Sequence, residues 1–74
     1  MSEYVYLEDV ESLLGQEVML VGESGGFIGI DILKRDPWSD EPGRYQLGVV
    51  CFGMEDIKYL NLLSIPPIIA IYIN

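Results

Sequence analysis

Residues 64–74 read SIPPIIAIYIN, and how this stretch is read decides the fold. No residue after Lys58 carries a side-chain charge, yet the chain has 12 acids against 4 bases and a net charge of -8. In Ile68–Ile73 the side chains of one parity are Ile69, Ile71 and Ile73, and those of the other are Ile68, Ala70 and Tyr72. Side chains alternate across a strand, so both faces here are apolar. Such a strand is expected to lie centrally, covered on both sides, or to meet a second chain. Pro66 and Pro67 close off any helix arriving from upstream, because proline lacks the amide hydrogen and restrains the residue before it. The apolar run is too short for a membrane span of about 20 residues.

Working back from the tail, GMEDIKYLNLL has apolar residues at Met54, Ile57, Tyr59, Leu60 and Leu63, with Glu55 and Asp56 at its start. This predicts a second short helix. YQLGVVCF is apolar at nearly every position and reads as one strand. KRDPWSDEPGR, with two prolines, a glycine and six charges, is the longest loop. Upstream, EVMLVG and FIGIDILK flank the glycine-rich ESGG and read as a hairpin. The uniformly branched Ile28, Ile30 and Ile32 mark the expected core face of its second strand. At the start, Leu7, Val10, Leu13 and Leu14 recur at helical spacing opposite Glu8, Asp9 and Glu11, with Gly15 as the stop signal. The fold class expected is α+β in a single domain, residues 1–74. It is a small curled antiparallel sheet or partial barrel of about four strands with two short helices.

The stretch LLGQEVMLVGESGGFIGIDIL resembles the opening of Sm-like small barrels: a helix end with glycine, a hairpin, then a bent strand containing glycine. It covers about a quarter of the chain. The later RNA-contacting motif of that family is absent, and the charge has the wrong sign for RNA. The resemblance therefore implies a curled, barrel-like sheet and carries no site residues over.

Composition excludes several chemistries. With no histidine and one cysteine, Ser-His-Asp and Cys-His nucleophile systems, histidine metal sites and thiolate zinc sites cannot be built within one chain. Cys51, in the apolar VVCF, is expected to be a buried small hydrophobe, and no internal disulfide is possible. GESGGFIG lacks the Lys-Ser/Thr of a phosphate loop and runs into a strand. Asp36, Asp40 and Glu41 lack calcium-loop spacing and read as a solvated acidic loop. The expectation is no cofactor, no metal and no catalysis. The N-terminal MSEYVYLEDVE has neither the basic stretch nor the apolar core of a signal peptide, which points to a cytoplasmic protein.

What remains is binding. Up to Leu33 there are seven acids and no base. Such a surface disfavours nucleic acid and anionic membranes and favours a basic protein partner. The function expected is a small acidic inhibitor or adaptor, of the kind mobile elements such as phages encode. It would occupy a basic, nucleic-acid-binding type of surface, with its carboxylates imitating a phosphate backbone. The candidate contact residues are Trp38 with Asp36, Asp40 and Glu41, together with Glu8, Asp9 and Glu11. Trp38 has two readings, an interface anchor in a polar rim or a lid folded over the core. The alternative function is assembly: homo-oligomerisation through the terminal strand, using Ile69, Ile71, Tyr72 and Ile73.

Overall fold

A computed structural model describes residues 4–72. It is a small domain built mostly of strands, with one short α-helix among the described residues, α1 (Leu7–Glu11). Seven strands follow: β1 (Glu17–Gly22), β2 (Phe27–Ile32), β3 (Lys34–Arg35), β4 (Arg44–Leu47), β5 (Val50–Gly53), β6 (Ile57–Asn61) and β7 (Ile68–Ile71). They form a four-stranded sheet of order β2-β1-β7-β6 and a three-stranded sheet of order β3-β4-β5. β2 and β3 are consecutive on the chain, and Leu33 between them exchanges backbone bonds with Gly15 and Gln16, so the stretch from Phe27 to Arg35 ties the sheets together.

The terminal strand lies centrally in the strand order. β7 sits between β1 and β6, with Ile69, Ala70 and Ile71 all buried. It pairs parallel to β1 and antiparallel to β6, so the larger sheet is mixed rather than purely antiparallel. The amide of Met19 donates to the Pro67 carbonyl at 2.8 Å, so the parallel ladder begins at the second proline.

Three expected elements are corrected. The second helix is replaced by a 3-10 turn, Met54–Asp56, running directly into β6. The strand YQLGVVCF is a hairpin: β4 and β5 pair antiparallel, with Leu47 opposite Val50 and only Gly48 and Val49 between them. Gly48 has φ +61°, and a positive φ at the first of two turn residues is where a II′ turn calls for glycine. The isoleucine parity of β2 is also reversed. Residues opposite one another in a ladder share a face, and the interior Val18 and Leu20 oppose Asp31 and Gly29. Ile30 and Ile32 instead oppose Met19 and Glu17 on the outward face, where they are 43% and 39% exposed. Ile28 alone of the three packs against the core, turned by a bulge at this point of the ladder.

The core gathers Val10 and Leu13 from the helical end, Val18 and Leu20 from β1, Leu33, Tyr45 and Leu47 from β4, Phe52 from β5, Ile57 from β6, and Ile69 and Ile71 from β7. Tyr45 and Phe52 pair across β4 and β5, their rings 6.0 Å apart and tilted at 42°. Cys51, expected to be interior, is exposed. The hairpin places it opposite Gln46, on the side of the small sheet away from Tyr45, Leu47 and Phe52. No helix of the described residues is long and apolar enough to cross a membrane.

Candidate functional site

The acidic loop between β3 and β4, residues 36–43, is ordered by its own polar side chains. The Asp36 carboxylate accepts the backbone N–H of Trp38 at 2.9 Å, and Ser39 Oγ accepts that of Glu41 at 3.2 Å. Short side chains that bond two residues onward mimic a backbone turn, which fixes the loop without burying it. At its foot, the Asp36 amide donates to the Arg44 carbonyl. Gly43 has φ +79°, and a Cβ there would stand 2.9 Å from Met54 Cγ. The result is a turn that carries Trp38 outward: its side chain is 88% exposed, so it is not a lid on the core. Asp40 and Glu41 beside it are exposed, and Asp36 is half-buried at the base.

The acids of α1 divide. Glu8 is exposed and Asp9 half-buried. Glu11 is engaged inside the fold: one carboxylate oxygen pairs with the Arg35 guanidinium and the other accepts the Tyr45 hydroxyl at 2.7 Å. The Tyr45 hydrogen bond holds the Glu11 carboxyl below its ordinary range against the opposing effect of burial, and Arg35 adds to the lowering. Burial, with the Glu11 hydrogen bond second, pushes the Tyr45 phenol well above its ordinary value. Glu11 is thus a strut between α1 and the small sheet rather than a free contact. Glu55 likewise pairs with Arg44, and Asp56 accepts the Gly53 amide at 2.9 Å.

The residues expected at an oligomer contact separate as well. Ile69 and Ile71 are 0% and 3% exposed and point into the core, so an assembly contact through them would lie inside the folded domain. Tyr72 is exposed and borders a shallow 180 Å³ depression with Val50, Cys51 and Phe52. Ile73 lies outside the described residues.

Three other apolar features went unrecognised in the sequence. The turn between β6 and β7 holds out Leu63 and Ile65, 94% and 97% exposed, just ahead of a cis Ile65–Pro66 peptide. A cleft of about 340 Å³ runs between the N-terminal segment and β6, lined by Tyr4, Val5, Asp9, Tyr59, Leu60 and Leu62. The outward face of the larger sheet carries Phe27, Ile30 and Ile32, all exposed. The alternation of β2 signalled this face, but with the sides exchanged. Among the described residues no three acidic or cysteine side chains converge as ligands for a metal ion.

Comparison with protein-family models, with curated proteins and with solved structures finds no match.

Proposed function

We propose that this chain is a small acidic, non-catalytic binding protein that docks on a basic surface of a partner protein, acting as an inhibitor or adaptor. The observation that carries this reading is Trp38, 88% exposed on an ordered loop and flanked by the exposed Asp40 and Glu41. A tryptophan held in water gains nothing for the fold, whereas buried at an interface it is among the strongest anchors. The neighbouring carboxylates supply steering toward positive charge. Glu8 and Asp9 extend the acidic surface, while Glu11, committed to Arg35 and Tyr45, contributes field rather than contact. The partner surface is of the kind that binds nucleic acid, where lysine and arginine are concentrated. We read the scaffold as one curled sheet, a partial barrel whose two halves share the strand Phe27–Arg35.

The test is affinity capture from host lysate at low and at high salt, with the wild-type chain, Trp38→Ala and the double variant D40K/E41K. Loss of an interface anchor such as Trp38 costs about 2 kcal/mol or more, roughly a thirtyfold weaker complex. A basic protein retained at low salt, released at high salt and lost from both variants is the expected result. Capture indifferent to salt and to both variants refutes the reading.

A further inference from the structure

We propose that the outward face of the four-stranded sheet is where a second copy of this chain packs. The registers define that face. One row runs Asn61, Ile68, Met19, Ile30 and the next Tyr59, Ala70, Val21, Phe27, each crossing all four strands, with Glu17 and Ile32 completing a third. Ala70 and Val21 at its centre are 0% and 7% exposed, and neither belongs to the core cluster. Around them Phe27, Ile30 and Ile32 remain 66%, 43% and 39% exposed. Val10 of α1 and Leu13 just after it join the core on the opposite side of the sheet, and at the β6 edge Tyr4, Val5 and Asp9 line the cleft with Tyr59.

Charge selects the occupant. A chain with 12 acids places one of them, Glu17, among these rows. A basic partner is drawn to carboxylates and has little to recognise here. Two copies of a chain of net charge -8 repel one another on the whole, and this nearly uncharged face lets them approach with little opposition. Its ends are also complementary under two-fold symmetry. Glu17 stands at one end of β1, and Lys58, displaced by a bulge in β6, reaches to the Glu23 carbonyl at 3.3 Å beyond the other end. A two-fold axis lying between the sheets, perpendicular to the strands, sets each Glu17 over the partner copy's Lys58 end, in the self-complementary manner of a symmetric dimer.

Area sets the strength. Four strands about 4.8 Å apart, each showing some five residues at about 3.4 Å rise, span roughly 350 Å² in projection, before the relief of the side chains is added. A standard interface buries about 800 Å² of accessible surface per partner. The contact therefore belongs to the low end of the size range, that of weak and transient association.

Sedimentation velocity on the full chain, from micromolar to millimolar concentration and at two salt concentrations, tests this. The expected result is a mass rising from one chain to two, with tighter association at higher salt because screening relieves the mutual repulsion. That salt response is opposite in sign to the one expected of a basic partner. Ile30→Lys lowers the net negative charge, so a simple charge effect would strengthen the dimer. Loss of the apolar contact instead weakens it at least tenfold. Phe27→Ser, at a more exposed site, does the same without adding charge and serves if Ile30→Lys disturbs folding. D40K/E41K leaves the dimer intact. A chain that stays single at millimolar concentration, or a dimer unmoved by Phe27→Ser, overturns the proposal.

Discussion

Removing the Tyr45 hydroxyl puts the joint between α1 and the small sheet to a direct test. α1 has five residues and no side-chain hydrogen bond at its N-cap, so it is too short to persist alone and depends on what it touches. Two kinds of contact hold it: Val10, with Leu13 in the turn just after, in the core, and Glu11 gripping Tyr45 and Arg35. Tyr45 is 0% exposed, and its hydroxyl donates to a carboxylate at 2.7 Å. A hydrogen bond to a charged group contributes about 1.5–3 kcal/mol. In Tyr45→Phe the Glu11 carboxylate keeps Arg35 and, at 28% side-chain exposure, some water, so the loss falls near the lower figure. Glu11→Ala leaves the phenol unpartnered in the interior, a penalty of about 1–3 kcal/mol. Arg35, 60% exposed, contributes less through its ion pair, about 0–1 kcal/mol. Urea titration of the two single variants and the double variant gives the coupling between Glu11 and Tyr45, expected at about 1–2 kcal/mol and larger than that between Glu11 and Arg35. In a domain this small each kcal/mol moves Tm by about 4–8 °C, so thermal melts resolve the same ordering. The sign with pH follows from the lowered Glu11 pKa. The stabilisation is complete above the unfolded carboxyl pKa and disappears as pH falls through the native value, so wild type and Glu11→Gln converge in acid. A Glu11–Tyr45 coupling below about 0.5 kcal/mol, or a gap between those proteins that does not close in acid, would refute the strut.

Two further substitutions test the packing. Ile69→Ala empties a fully buried site on the central strand and is expected to destabilise by about 2–5 kcal/mol, while Ile30→Ala, at 43% exposure, changes monomer stability by less than about 1 kcal/mol. Chemical denaturation at micromolar concentration checks both, and equal losses would mean that the two faces of the sheet have been exchanged. Gly43→Ala combines a φ of +79° with a 2.9 Å approach to Met54, and the left-handed conformation alone costs about 1–2 kcal/mol. A melt unchanged from wild type would show that the loop foot is not built as described.

Much of the architecture is legible because local rules and tertiary packing agree. The ESGG turn joins β1 to β2 as expected, and Ile68–Ile71 lies centrally in the strand order with Ile69 and Ile71 in the core. Where the reading fails, a bulge or a tight turn shifts the phase of the pattern. In β6 the extra residue Lys58 falls between Ile57, opposite Ile71, and Tyr59, opposite Ala70. Ile57 and Leu60 therefore both reach the interior three residues apart, which is the spacing of a helix face. In YQLGVVCF the glycine that should have divided the strand is followed by valine rather than by a polar turn residue, and the continuous apolar run hid the hairpin. Once the turn is placed, Cys51 moves to the outer face, opposite Gln46.

The isoleucines of β2 differ, since there the alternation is real and only its direction is reversed. Uniform branched residues point to the core as long as the other parity holds Gly29 and Asp31, poor core residues in isolation. The ladder shows why both are admissible inward. Gly29 opposes Leu20 and brings no polar side chain to that face, where a Cβ would meet only open space. Asp31 sits where the larger sheet ends, exposed, with one oxygen accepting its neighbour Ile32's amide at 2.8 Å and the β4–β5 turn beside it at Gly48. Parity alone cannot choose between two faces when one is apolar by packing and the other apolar without cover. Had Ile30 and Ile32 faced the core, the outward face would have borne Gly29 and Asp31 and needed no partner. Because they face outward, an acidic chain keeps a four-strand apolar surface with a single carboxylate among its rows, and the same reversal that corrects the fold supplies the reason to expect a second copy upon it.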